Sequence, residues 1–197
     1  MNGELIKKEP AEAGGHSRKN SQVNISFLLL NSKGNGMEEI DGKQQFSLSP
    51  LRPEYVNEMS IILCSMDPWL TLEYRPEAFE FYLLHADPAL SRYAVMISGE
   101  VGGVLAVRFP WLFGPFIELM ALFDGFRGKG IGSRIIDWVC DRYKSTNLWA
   151  TVSSFNLKAQ KFYSSAGFEK TAILEDLIKP GWNEILLRKR MAAPNQR

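Results

Sequence analysis

Glycine alternates with Arg127, Lys129 and Ile131 at Gly128, Gly130 and Gly132, and an apolar stripe begins directly afterwards. In the first turn of a helix the backbone N–H groups have no internal partner and carry the positive end of the helix dipole. Without Cβ atoms in the way, phosphate-like oxygens reach those donors directly. Arg127 and Lys129 add positive charge beside them. The pattern points to an anion site at a helix entrance, and the competing reading is a plain glycine-rich turn with solvated cations. A second group of reactive types lies elsewhere: Glu118 is the lone carboxylate in the apolar run 115–123, and Tyr163 follows Asn156 at helical spacing.

The surrounding elements follow from periodicity. Residues 44–51 alternate loosely as a strand running into a turn, and Pro53 and Pro76 each suit the first turn of a helix whose apolar residues recur at helical spacing. Residues 92–109 form two apolar strands about Ser98 and Gly99, a hairpin signal. The run 115–123 is almost continuously apolar, as in a strand covered on both faces. Ile131, Ile135, Val139 and Tyr143 place one stripe along a helix from about Gly130 to Tyr143. A strand at 147–154, a helix at 156–167 and antiparallel strands at 168–174 and 182–190 complete the order β-α-α-β-β-β-α-β-α-β-β. Helices interrupting a mixed sheet give a single α/β (α+β) domain.

Two nucleotide motifs are excluded by spacing. Gly125 and Gly130 have the P-loop gap, but Ile131 and Gly132 follow where a lysine and a hydroxyl are required. The dinucleotide fingerprint fails at Ser133 when counted from Gly128, and at Ile135 when counted from Gly130. What remains resembles the pyrophosphate loop of the GNAT superfamily, [RQ]-x-x-G-x-[GA], with Arg127, Gly130 and Gly132 in the defining positions. Downstream, Asn156, Ala159, Tyr163, Gly167 and Phe168 are in register with that family's N-x-x-A-x-x-x-Y-x-x-x-G-F segment. The resemblance covers residues 44 to 191.

That resemblance implies a central mixed, mostly antiparallel sheet with two splayed parallel strands, here 116–123 and 147–152, and flanking helices. It implies an N-acetyltransferase moving acetyl from acetyl-CoA to a primary amine of a small molecule or peptide by direct attack in a ternary complex. The cofactor set becomes Arg127, Gly128, Lys129, Gly130, Ile131, Gly132 and Ser133 around the phosphates, with Met120, Ala121 and Leu122 along the pantetheine arm. The Leu122 N–H is the candidate for polarising the thioester carbonyl. Asn156 is assigned to its helix cap, to the cofactor, or to both. Tyr163 is assigned as the acid that protonates the departing thiolate, since tyrosine remains protonated at neutral pH. A non-catalytic acyl-CoA-binding module is the alternative.

The base is a separate question. Peptide N-terminal acetyltransferases of this superfamily that resemble ribosomal-protein modifiers place a glutamate five residues before the motif asparagine, and Thr151 stands there instead. Glu118 is the other carboxylate at hand. Strand alternation puts it on the face of Met120 and Leu122, in apolar surroundings that suit a proton acceptor. It is equally readable as a paired or solvated residue, and water is a third acceptor. Asp124 replaces the proline common three residues before the loop arginine, and an Asp-Gly turn still serves there. Trp69, Leu70, Leu72 and Tyr74, with the aromatics of 111–116, read as a hydrophobic wall of the acceptor site or as packing of a long connection; such a wall disfavours charged sugars and polyamines.

The remaining bounds are broad. In 197 residues, 23 Lys and Arg oppose 22 Asp and Glu, so no field of one sign draws nucleic acid. No stretch reaches the ~20 apolar residues that span a bilayer, so no membrane is expected and the cytoplasm is the default. Cys64 and Cys140 read as reduced core thiols, and His16 and His85 lack partners for a metal. Residues 1–40 read as a disordered extension, with Met37 near the start of the folded part, residues 44–191 as the catalytic domain and 192–197 as a tail. The resemblance is compatible with a monomer or a homodimer.

Overall fold

The computed structural model describes residues 45–191, so the expected extension over 1–40 and the tail 192–197 lie outside the described residues. Among the described residues seven strands form one sheet: β1 (Phe46–Pro50), β2 (Leu90–Ile97), β3 (Glu100–Trp111), β4 (Gly114–Leu122), β5 (Asn147–Ser153), β6 (Glu169–Lys179) and β7 (Trp182–Arg190). Their spatial order is β1-β2-β3-β4-β5-β7-β6. Every neighbouring pair is antiparallel except β4 with β5. Four helices accompany them: α1 (Val56–Cys64), α2 (Pro76–Leu84), α3 (Ile131–Tyr143) and α4 (Leu157–Ser165). The element order and the mixed α/β class agree with the periodicity.

One face of the sheet carries the main core. Ile131, Ile135, Ile136 and Val139 of α3 and Tyr163 of α4 pack there with Leu105, Val107, Ile117, Leu148, Ala150, Ile185 and Leu187 of the strands. The crossover from β4 through α3 to β5 is the connection that a parallel pair requires, since a hairpin cannot join parallel strands. On the opposite face, Phe79 and Tyr82 of α2 share a cavity with Phe116 and Leu119 of β4.

The parallel pair is short. β4 and β5 are joined only at Phe116 with Trp149 and Ile117 with Ala150. Just beyond, Ala106 of β3 pairs with Leu119 while Val107 pairs with Ile117, so Glu118 is an extra residue without an opposite number. Such a bulge bends its strand and re-aims a side chain. From that point β4 and β5 part company, which sets up the crevice described next.

Candidate active site

The loop after β4 is built by local bonds. Phe126 N–H donates to the Phe123 carbonyl at 3.2 Å, closing a turn on Asp124 and Gly125, the latter at φ +87°. Arg127 reaches back along the strand: its Nε donates to the Leu122 carbonyl at 2.7 Å and its Nη1 lies 3.4 Å from Asp124. The guanidinium therefore ties the loop to the strand end as well as adding charge. Lys129 stands over the Phe126 ring, 5.9 Å from its centroid.

Gly130 is the N-cap of α3 at φ +76°, a left-handed conformation that costs other residues about 1–2 kcal/mol. It gives no side-chain cap, so the N–H groups of Ile131, Gly132 and Ser133 are left for an outside acceptor. A Cβ on Gly128 or Gly130 would meet nothing within 4 Å, so the space over these donors is open. Gly132 differs: a Cβ there would lie 2.9 Å from the Phe162 ring, so this glycine lets α3 approach α4.

The inner edge of β4 faces the splay. Phe123 N–H donates to Gly102 on β3, and alternation along that antiparallel ladder turns the N–H groups of Met120 and Leu122 away from β3. Ala121 by the same alternation commits its backbone to β3. Across the gap, Ser154 N–H donates to Asn183 on β7, so Thr151 and Ser153 direct theirs toward β4. The side chains of Met120 and Leu122 pack against the α3 and α4 core, and their edge alone borders the crevice.

Helix α4 presents Tyr163, and each motif residue there has a local task. Asn156 Oδ1 accepts from Ala159 N–H at 3.1 Å, capping the helix. At the other end Gly167 adopts φ +85°, Phe168 N–H donates to the Tyr163 carbonyl and Gly167 N–H to Ser164, which is a Schellman closure. Phe168 then meets Tyr163 ring to ring at 5.1 Å. Tyr163 is 7% exposed, and burial alone pushes its hydroxyl well above the usual tyrosine range.

On the α2 side of the sheet lies a cavity of about 630 Å³. Its wall is aromatic, from Trp69, Tyr74, Phe79, Tyr82, Trp111 and Phe116, and Glu118 and Thr151 are among its few polar contributors. Leu70 is exposed and Leu72 is buried, so within the 69–74 segment Trp69 and Tyr74 supply the wall. Trp111 stacks on Phe116 and meets Trp149 edge-on, which anchors the wall where β4 and β5 are still joined.

The sequence profile of the acetyltransferase (GNAT) family matches residues 56–168, more than half of the chain. The chain belongs to that family. No curated protein matches it in sequence. Among solved structures, an acetyltransferase from Thermus thermophilus is 17% identical with a TM-score of 0.60, covering 74% of this chain and 97% of its own. Arabidopsis thaliana NAA60 in complex with a bisubstrate analogue is 15% identical with a TM-score of 0.59, covering 76% and 99%. A spermidine N-acetyltransferase SpeG chimera from Vibrio cholerae and hSSAT is 14% identical, TM-score 0.59, covering 74% and 95%. At these identities the likeness is one of fold.

Within this GNAT domain one expectation needs correction. Alternation placed Glu118 with Met120 and Leu122, but the bulge adds one residue and puts it on the cavity face with Leu119. Its surroundings are not purely apolar either. Glu118 Oε1 accepts from Arg108 Nε, and Oε2 from Arg108 Nη2 at 3.4 Å and from Tyr82 OH at 3.0 Å. Arg108 Nη1 also donates to Asp87 at 2.9 Å. The two carboxylates hold the guanidinium more firmly protonated, and burial with the Glu118 charge pushes the Tyr82 phenol up.

Arg108, Tyr82 and Glu184 are site residues that the sequence reading missed. Arg108 carried a signal, a lone cation after the apolar stretch 101–107, whereas Tyr82 and Glu184 meet the site only through the fold. Arg108→Ala leaves Glu118 with the phenol alone; we expect a loss of about 1–2 kcal/mol in urea unfolding, reduced from the fully buried case because the pair keeps partial solvent contact.

Proposed function

We propose that the chain transfers an acetyl group from acetyl-CoA to a primary amine of a small molecule or peptide, by direct attack in a ternary complex. The observation that carries this reading is the splay of β4 from β5 beyond Ile117 and Ala150, with unsatisfied donors on its border and an aromatic cavity beside it. An extended pantetheine arm suits such an edge, because it supplies the strand-like polar groups that Met120 and Leu122 lack.

The residues present fit acetyl-CoA. The open N–H groups of 131–133 and the uncovered backbone of Gly128 and Gly130 suit its pyrophosphate, with Lys129 adding charge and Arg127 fixing the loop. Bound there, acetyl-CoA supplies an activated acetyl thioester. The Leu122 N–H is assigned to the thioester oxygen, where one well-aimed donor is worth about 3–4 kcal/mol. Tyr163, kept protonated by burial, is assigned to give the thiolate its proton. Asn156 acts by capping the helix that carries Tyr163. Glu118, by its place on the cavity wall, faces the acceptor amine.

The acceptor cavity favours an apolar body. A second ammonium buried against this wall would meet one lining carboxylate, Glu118, whose two oxygens are already engaged by Arg108 and Tyr82. Thiol release by the purified chain with acetyl-CoA is the test, over a panel of arylalkylamines, alkylamines, a peptide with an apolar N-terminal residue, and spermidine. The apolar amines are expected to exceed spermidine in kcat/KM by about tenfold or more, from roughly 1.4 kcal/mol of discrimination. Calorimetric binding of acetyl-CoA with no thiol release on any amine would leave a binding module instead of an enzyme.

A further inference from the structure

Beside the cavity sits a carboxylate that nothing above employs. Glu184 of β7 is 3% exposed, and its Oε1 has no hydrogen-bond partner. A buried charge-bearing oxygen left without a donor is expensive, and native structures retain few. Register fixes where it looks. Ile185 and Leu187 enter the main core, so Glu184 and Leu186 occupy the other face of β7, and Leu186 lines the cavity. Across β7 it opposes Ser153 of β5 on one side and Leu174 of β6 on the other. Leu174 and Thr151, two residues before Ser153, are both cavity wall.

The groups around it are few. Ser153 hydrogen-bonds the Glu184 carboxylate, and the phenol of Tyr74, from the connection between α1 and α2, is the titratable group that feels its charge. Neither Ser153 nor Leu174 is charged. On its own strand and face Leu186 comes next and then Arg188, whose Nε donates to Asn147 at 2.7 Å and whose guanidinium lies over the Trp149 ring. No cation is directed at Glu184 among these neighbours. Burial pushes its carboxyl up, and the Ser153 hydroxyl pulls it partly back.

We infer that Glu184, with its unpartnered Oε1, accepts the proton that the substrate ammonium must shed before attack. The inference rests on the acetyl-transfer reading of the same cavity. The balance is as follows: R–NH3+ gives one proton to Glu184, and the freed lone pair forms the C–N bond as the C–S bond breaks. Tyr163 protonates the leaving thiolate and recovers the second amine proton, while Glu184 returns the first to water. Glu118 differs in having both oxygens occupied by Arg108 and Tyr82.

The test compares pH profiles of kcat/KM for the full chain, Glu184→Gln and Glu118→Gln, using one strongly basic alkylamine and one weakly basic fluorinated alkylamine. A carboxylate base works only when ionised, so the wild-type rate with the strong base falls as pH falls through the raised carboxyl pKa. With the strongly basic amine, Glu184→Gln is expected to replace that limb with one that climbs to the amine's own pKa, and to lose about 10²-fold in kcat near neutral pH. The deficit is expected to vanish with the weakly basic amine, which arrives already neutral; a merely structural role would lower both substrates alike. A limb that keeps the wild-type midpoint in Glu184→Gln and moves to the amine's own pKa in Glu118→Gln overturns the inference. Should the Gln variant fail to fold, Glu184→Asp decides: a limb moved to lower pH supports it, and an unmoved limb overturns it. Wild-type turnover on neither amine would reject the acetyl-transfer reading itself, a separate outcome.

Discussion

Gly130→Glu abolishes coenzyme A binding, whereas Gly130→Ala retains it. Gly130 caps α3 in the left-handed region, and a Cβ there meets nothing within 4 Å. Both substitutions therefore carry the same backbone strain of about 1–2 kcal/mol, visible as a modest fall in melting temperature. They differ in charge. Two unit charges about 4 Å apart interact by roughly 4 kcal/mol at an effective dielectric near 20, equivalent to about 10³-fold in affinity. The glutamate would occupy the donors of residues 131–133 and repel a diphosphate, while the alanine does neither. Calorimetry with coenzyme A on both variants separates the two effects. Equal affinity for both would mean that the phosphates lie elsewhere.

The loop and α4 were legible because their tasks are local. The glycines at the entrance of α3 and the asparagine cap act within a few residues, so spacing exposes them, while Gly167 was marked by the family motif and its Schellman role by the structure. The helix stripes and the apolar run of β4 were legible for the same reason: burial repeats with the period of the element. Glu118 shows where this ends. Its neighbours obey the period of two, but one inserted residue opposite Val107 and Ala106 reverses its face, and nothing in the strand's own composition announces a bulge. Arg108 and Tyr82 come to it from β3 and α2 through tertiary contact. Glu184 was hidden by register, since only the pairing of β7 with both β5 and β6 shows that its carboxyl is enclosed.

Recognition is divided accordingly between two kinds of group. On the proposed nucleotide side the donors are backbone atoms at a helix entrance and a strand edge, so side-chain identity is expected to matter there mainly where a Cβ would intrude. On the acceptor side the wall is made of side chains from α2, β3, β4, β5, β6, β7 and the connection 65–75. Glu73 in that connection is bound by Lys179 at 2.7 Å, which ties it to the end of β6. Substitutions on the acceptor wall are expected to change which amine is used, and substitutions in the loop whether coenzyme A is held at all.

Tyr163→Phe lowers kcat by about 10²-fold and leaves the affinity for coenzyme A unchanged. The ring is held by Phe162 and Phe168, at 5.2 and 5.1 Å between centroids, and phenylalanine preserves both contacts. Burial is the one influence acting on the hydroxyl, so its removal breaks no internal hydrogen bond and the melting temperature should be level or slightly higher. The same burial keeps the phenol protonated across the working range, so Tyr163 contributes no basic limb to the pH profile. On the proposed role, what the variant lacks is a proton for the thiolate. An unassisted thiolate departs at a rate set by its own basicity, and the phenol is protonated throughout, so the defect is expected to be roughly constant across the working range. Single-turnover thiol release from pH 6 to pH 9 measures this directly (roughly the window between an ordinary histidine and an ordinary tyrosine). A rate equal to the wild type at every pH would remove Tyr163 as the acid and leave that proton to water.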